Sequence, residues 1–416
     1  MAKQYNNNLD IVRGLAAVCV VFTHLMSYPT EFDKQFGINA IVRYNIPGHI
    51  FFLVFFILSG YVIQLNTKQL GTKALIQEYL RKRIIRIVPI YVFSVLFAFF
   101  VTYGNNSWLK LLSNLFFVSV PAGNLMYEET PVWSLNYEVV YYLSYIVFSY
   151  FSISMSKTLK AILVIIAAYF LFLHNVVIHP LFLSYLIGFL FWVTGAYIAD
   201  LKDLPYWKLS ASRIMSVFLL IFCLQYYNPY GPILKILHIH TAELGKFCWY
   251  HQSVWFPDMF FYPLTILLML ALTHTYTRYG KYLVYFLFLA SIFRLIMIYK
   301  VYNLHYILTE GFVLPTIFLI ISMAFWFLDF ELFPKIKSII KSTDHLGHIS
   351  YAMYLMHFPL LFLFGKFPAT SASTFVVKLI IYLVTVYITA YLLEMKFQPW
   401  IKNLIWKKKK VVAPVN

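Results

Sequence analysis

The chain is a succession of long apolar stretches separated by short polar connectors. Apolar runs lie near residues 9–28, 48–65, 87–103, 135–150, 161–176, 181–199, 214–227, 259–276, 282–299, 311–328, 348–365 and 374–394. A helix crosses the hydrocarbon core with about 20 predominantly apolar residues, so each run predicts a spanning helix. The chain therefore predicts an all-α polytopic integral membrane protein with about 10–12 transmembrane helices. The stretch 108–120 is too short to span and predicts an interfacial or re-entrant segment. No internal repeat is visible, and the largest outer connector, 228–258, is too small for a soluble domain. The expected organisation is a single membrane-embedded domain over residues 1–396 and a short basic tail over 397–416. The first run carries Asp10 and Arg13 at its start and has no small-residue cleavage site after Tyr28, so it predicts a retained span rather than a cleaved signal.

Composition excludes the soluble alternatives. Of 416 residues, 61% are hydrophobic, 20% aromatic and 12% charged, with a mean hydropathy of +0.74. Soluble domains carry roughly 25% charged residues, and disordered chains have far less apolar content. A net charge of +17 would suit a nucleic-acid partner if it were clustered, but these bases sit between apolar runs. Their placement reads instead as topology. With the N-terminus inside, 23 of the 33 Lys and Arg fall in cytoplasmic segments and 7 in outer ones, which predicts that both termini are cytoplasmic. The closing run Trp406 to Lys410 is expected to meet anionic lipid. Cys19, Cys223 and Cys248 lack the spacing of a disulfide framework or a zinc site.

Ionisable groups inside spans are costly and mark function or pairing. Arg13 and His24 are eleven positions apart on the first span, which at about 100° per residue places them on one face, roughly 16 Å apart along the axis. Their stripe would line a polar path part-way through the membrane. Taken alone, the pair has a second reading, in which Arg13 snorkels to the headgroups and His24 sits at the outer interface.

The residues Leu9-Asp10-Ile11-Val12-Arg13-Gly14-Leu15-Ala16-Ala17, followed by Phe22-Thr23-His24, resemble the opening of the membrane-bound acyltransferase family 3. Further blocks follow in that family's order: Phe55 to Tyr61, then Arg81 to Tyr91, then Trp133-Ser134-Leu135-Asn136-Tyr137-Glu138 with Tyr141-Tyr142, then Ile349 to His357. One departure is Leu53, which stands where many members carry an acidic residue. The resemblance implies O-acylation, usually acetylation, of a sugar or other hydroxyl at the outer side of a bacterial cytoplasmic membrane. The implied donor is cytoplasmic acyl-CoA (acetyl-CoA), with no permanently bound cofactor. The implied partners are this donor, a glycan or other hydroxylated acceptor and membrane lipid.

The residues suit that chemistry. Acyl-CoA carries phosphates, and Arg83 and Arg86 share a face at i and i+3 on an entering helix, where guanidinium groups can bind phosphate oxygens. The same charges would also serve topology alone. Acyl transfer from a thioester to an alcohol needs a base and a donor for the developing oxyanion, and requires no metal. His24 is the candidate base, Arg13 holds the coenzyme or polarises the thioester, and Glu138 orients the imidazole or binds the acceptor. As alternatives, Glu138 pairs with a basic residue, and His357 is either a core histidine or a participant. Trp133 and Tyr142 are candidate supports for the acceptor. Ser59 and Gly60 are expected to permit close helix packing rather than to supply a nucleophile. His238, His240, Glu243, Cys248 and His251 form weak metal-ligand candidates. The competing class is a lipid-linked glycan flippase or polymerase, or another polytopic transporter, which inverted repeats or a large arginine-rich outer loop would favour.

Overall fold

The computed structural model describes residues 7–37, 46, 48–169, 171, 180–201, 209–227, 253–254, 256–273, 279–309, 312–329 and 342–407. The described residues form helices and connectors without strands. The helices used below are α1 (Asn7–Ser27), α2 (Gly48–Asn66), α3 (Lys73–Val101), α4 (Trp108–Leu115), α5 (Trp133–Tyr150), α6 (Met155–Ala168) and α7 (Pro180–Asp200). They continue as α8 (Ala211–Tyr227), α9 (Tyr262–Leu272), α10 (Gly280–Val301), α11 (Val313–Leu328), α12 (Asp344–Gly365), α13 (Ala372–Leu392) and α14 (Gln398–Lys407). Each of the twelve apolar runs overlaps a helix among the described residues. Seven helices among the described residues are long and apolar enough to cross a membrane: α1, α2, α3, α7, α10, α12, and α13 with its continuation. The other five runs fall on helices that are shorter or more polar. The chain is thus an all-α, multi-pass membrane protein.

Local chemistry sets several helix ends. Thr72 caps α3 by accepting from the Leu75 amide, and Ser107, Ser154 and Ser371 cap α4, α6 and α13 in the same way. Thr374 returns a bond to Ser371, completing a capping box. The cap at Thr72 starts α3 well before the apolar run, so Lys73 to Arg86 continue the helix about 20 Å beyond it. Helix α4 occupies the short stretch and exposes Trp108, Leu109 and Leu112, with Phe116 just beyond its end. Residues 393–397 form a π turn that joins α13 to α14, so the chain from Gln398 to Lys407 is helical.

The chain divides into two compact units, with the boundary passing through α1 between Val12 and Arg13. One unit comprises residues 1–12, 39–67 and 153–343. In it, α2 and α7 cross at backbone contact: a Cβ on Gly60 would lie 1.9 Å from the Trp192 carbonyl oxygen, and one on Gly195 would lie 1.8 Å from that of Ile57. Only glycine allows that approach, the close-packing device of membrane helices. Gln64 and Asp200 hydrogen-bond at 2.8 Å, so the two helices run parallel. Ser216 with Ser322, and Tyr227 with Thr316, pair α8 with α11 in antiparallel fashion. Arg294, on α10, donates to the Tyr227 carbonyl at 2.8 Å.

The other unit comprises residues 13–38, 68–152 and 344–416. Gly14 abuts Leu346 and Gly347 while His24 meets His357, so α1 and α12 run parallel. Tyr351 reaches the Ile87 carbonyl and Ser94 the Leu355 carbonyl, which sets α3 parallel to both. Helix α5 is antiparallel, with Ser134 at Tyr354 and the Tyr142 carbonyl at Tyr79. Helix α13 is antiparallel too, because Lys378 meets Asp33 beyond the end of α1, Tyr382 meets His357, and Glu394 just past α13 meets Arg86. These directions follow the odd and even places of the corresponding runs in the sequence.

Candidate functional site

Both sequence-predicted residues of the first span lie in this second unit. Gly14 has no room for a Cβ, which would come within 2.6 Å of Leu346, so α1 seats closely on the start of α12. This contact and the parallel course carry His24 to the level of His357, 333 positions later in the chain. The His24 Nδ1 and His357 Nε2 atoms are 2.7 Å apart, and the two rings stack with centroids 5.0 Å apart at an interplanar angle of 7°. His357 is fully buried, whereas His24 is partly exposed.

A chain of donors sets the tautomers. His357 Nδ1 lies 3.1 Å from the Met353 carbonyl, which can only accept, so in the neutral ring Nδ1 carries the hydrogen. His357 Nε2 then holds a lone pair and accepts from His24 Nδ1–H. The remaining nitrogen, His24 Nε2, is left with its own lone pair. His24 is thereby held as an acceptor of a proton on its free side, the condition a general base requires. Phe358 packs edge-on against the His24 ring at 5.0 Å, and Tyr28 does so at 5.8 Å, which fixes its plane.

The sequence offered Glu138 as a group that orients the imidazole or binds the acceptor, with pairing to a basic residue as the alternative. In the structure Glu138 bonds the hydroxyl of Tyr142, one turn along the same helix, and the group against His24 is His357. Trp133, buried at the start of α5, packs edge-on to Tyr137 at 5.2 Å. Nearby, Ser134 hydrogen-bonds the Tyr354 hydroxyl at 2.8 Å.

The two arginines expected to meet acyl-CoA differ sharply. Arg86 pairs with the buried carboxylate of Glu394 in the π turn and lies 5.5 Å from the Tyr351 ring centroid. Gln398 donates to the Ile85 and Arg86 carbonyls, and Arg81 to that of Ile405 at 3.0 Å, so this end of α3 is bound to the π turn and α14. Arg83 instead lies between two tyrosine rings, 5.5 Å from the centroid of Tyr79 and 5.8 Å from that of Tyr142. Its Nε is buried without a hydrogen-bond partner. A guanidinium held by two rings keeps its donors for an anionic ligand. Ser59 and Gly60 lie on α2 in the other unit, where Gly60 serves the contact with α7.

Three groups escaped the sequence reading. Asp33, just after α1, accepts from Lys378 Nζ at 2.9 Å and from the amides of Ala369, Gln35 and Phe36. Burial alone would raise its pKa, but these donors outweigh that effect and bring it down to about 2. Glu394 partners Arg86, and its place at the end of the last apolar run was the available signal. Glu129 is fully buried, with one oxygen 2.6 Å from the Ser94 hydroxyl and the other without a partner. Burial, opposed in part by that hydrogen bond, holds its pKa well above the ordinary 4.5. The weak metal candidates His238, His240, Glu243, Cys248 and His251 lie outside the described residues.

The family model for acyltransferase family 3, described as an acyltransferase domain, matches residues 6–328. Arg13, His24, Ser59, Gly60, Arg83, Arg86, Trp133, Glu138 and Tyr142 fall within that match, and His357 lies beyond its end. No curated protein and no solved structure matches the chain.

Proposed function

From the chain's membership of acyltransferase family 3, we propose that this membrane acyltransferase moves an acyl group, acetyl in the first instance, from cytoplasmic acyl-CoA to a hydroxyl of a sugar or glycan at the outer face of a bacterial cytoplasmic membrane. The observation that carries the reading is the His24–His357 pair, which leaves His24 Nε2 as a free base on the same helix stripe as Arg13.

His24 Nε2 takes the proton of the acceptor hydroxyl as its oxygen attacks the thioester carbonyl. The C–O bond forms, the C–S bond breaks, and the imidazolium returns the proton to the departing thiolate. No net proton is consumed. His357 Nε2 accepts throughout from His24 Nδ1–H, which stabilises the positive charge His24 acquires and keeps its ring in plane. Arg13, about three turns deeper on α1, faces the donor side of this path, and Arg83 offers its guanidinium to coenzyme phosphate. Arg86 contributes by fastening α3 to the π turn. Helix α1 is oriented with its first turn towards the cytoplasm, as the distribution of Lys and Arg supports.

The test compares membranes holding no protein, the intact chain, or His24→Ala at equal abundance, each given acetyl-CoA labelled in the acetyl group, with mass spectrometry of the envelope glycans. An acetyl increment that needs both the chain and His24 is the expected result. Equal labelling with His24→Ala would remove His24 from the mechanism. A change in glycan length or surface export without acylation would favour a polymerase or a flippase.

A further inference from the structure

Next to His24, in the same unit, stands a group of residues that the acyl-transfer chemistry does not use. Tyr28 meets the His24 ring at 5.8 Å and the Tyr127 ring at 6.1 Å, both edge-on. Phe358 and Phe362 back this pair, Phe358 at 5.0 Å from Tyr28 and Phe362 at 5.5 Å from Tyr127. The Tyr127 hydroxyl donates to Glu31 at 3.3 Å. Tyr127 is 45% exposed, and Tyr28 and Glu31 are partly exposed. Aromatic faces and one carboxylate therefore begin at the candidate base and open towards the surface.

The position of Glu31 is built. The carbonyl of Glu31 packs on Gly365, where a Cβ would come within 2.0 Å of it. Two residues later, Asp33 anchors the strap through Lys378 and the Ala369 amide. The backbone that carries Glu31 is thus held in place, and its carboxylate accepts from Tyr127.

We propose that Tyr28, Tyr127 and Glu31 form the acceptor subsite, and that Glu31 makes it selective for a hydroxylated ring with no negative charge near the reacting hydroxyl. The inference rests on the acyl-transfer reading of His24. A pyranose presents an apolar C–H face that packs on an aromatic ring, and rim hydroxyls that donate to a carboxylate. The two ring-to-ring steps sum to about 12 Å, so Tyr127 lies no farther than that from His24, within the reach of one or two sugar residues. A carboxylate can accept from neutral hydroxyls or pair with an ammonium, but it repels a uronate. For two carboxylates about 4 Å apart in water the repulsion is about 1 kcal/mol, or about fivefold in affinity.

The experiment uses the full chain in lipid nanodiscs, free of sugar detergents. Saturation-transfer NMR measures binding of methyl glucoside, methyl glucosaminide and methyl glucuronide. The wild type is expected to bind the neutral and amino glycosides about fivefold more tightly than the glucuronide. Glu31→Gln is expected to erase that difference while keeping the neutral glycoside, a readout that a purely structural role for Glu31 would not move. Tyr127→Ala is expected to weaken the neutral glycoside about fivefold. Transfer from labelled acetyl-CoA to the bound neutral glycoside, measured with the intact chain in the same nanodiscs, separates the two ideas. Absence of glycoside binding, equal binding of the glucuronide, or a charge preference unchanged by Glu31→Gln would overturn the subsite. Intact binding and selectivity without any acyl transfer would instead overturn the reaction assigned to His24.

Discussion

The Asp33–Lys378 pair is the firmest quantitative consequence of the structure, because it fixes the strap that carries Tyr28 and Glu31. The Asp33 side chain has no exposed surface. It accepts from the Ala369 amide at 2.8 Å, Lys378 Nζ at 2.9 Å, the Gln35 amide at 3.0 Å and the Phe36 amide at 3.1 Å. Its pKa falls from the ordinary 3.8 to about 2, and at 1.36 kcal/mol per pH unit that difference is worth about 2 kcal/mol. The folded value lies below the unfolded one, so this stabilisation is complete above pH 3.8 and is lost as pH falls towards 2. Lys378→Met removes one of four donors and is expected to cost about 2–3 kcal/mol. Asp33→Asn removes the charge that pairs with the ammonium, whose other contacts are the Phe32 carbonyl and ring, and is expected to cost about 3–5 kcal/mol. The double substitution buries neither charge and should recover part of the loss. Intrinsic-fluorescence melting in nanodiscs reads these differences, at about 2–4 °C per kcal/mol for a unit of this size. Lys378→Met should therefore lower Tm by about 4–12 °C at pH 7. A Lys378→Met protein that melts with the wild type, or a double variant less stable than both single variants, would refute the reasoning.

Three further outcomes can be measured. His357→Leu removes the acceptor for His24 Nδ1–H and should lower acyl transfer about 10–100-fold, as loss of an orienting partner does elsewhere; His357→Gln, whose amide oxygen can accept, should retain more. Equal rates for the two variants would show that His357 does not set the tautomer. Arg83→Leu should raise KM for acyl-CoA about tenfold or more with kcat little changed, since a charge-assisted phosphate contact is worth about 1.5–3 kcal/mol. Arg86→Leu should instead lower Tm by stranding Glu394, and an exchange of those two phenotypes would reverse the assignment. Glu129 has a raised pKa, so its effect runs opposite to that of Asp33: stability is greatest below pH 4.5 and falls as pH rises towards the folded value. Glu129→Gln should raise Tm relative to wild type at pH 8 and leave it unchanged at pH 4, and a pH-independent difference between the two would dismiss a buried acid at this position.

Much of the fold was legible in the linear pattern because spanning helices bond internally and need only length and apolarity. Each apolar run overlaps a helix among the described residues, and the relative directions of the helices in each unit follow their order in the sequence. The Arg13–His24 stripe was legible for the same reason, since eleven residues on one helix determine a shared face whatever surrounds it. Glycine at position 60 could be read as a packing residue, because a helix without a side chain there can approach a neighbour only through its backbone.

What lay outside the sequence was every contact between helices far apart in the chain. Arg83 and Arg86 are equivalent as neighbours on one helix, and only the return of α13 through its π turn brings Glu394 to Arg86 and leaves Arg83 between two rings. Glu138 was offered as a group that could orient His24 and His357 only as a core histidine or a participant, and the parallel seating of α1 on α12 places His357 against His24. Glu31 had no signal at all, because a carboxylate in a short connector meets Tyr127 only when Gly365 and Lys378 hold its strap there. Sequence alone determined which segments form apolar helices and which polar groups share a helix face, as both depend on local periodicity. Tertiary structure decided which of those groups are paired and which remain free, because that depends on which distant helices meet.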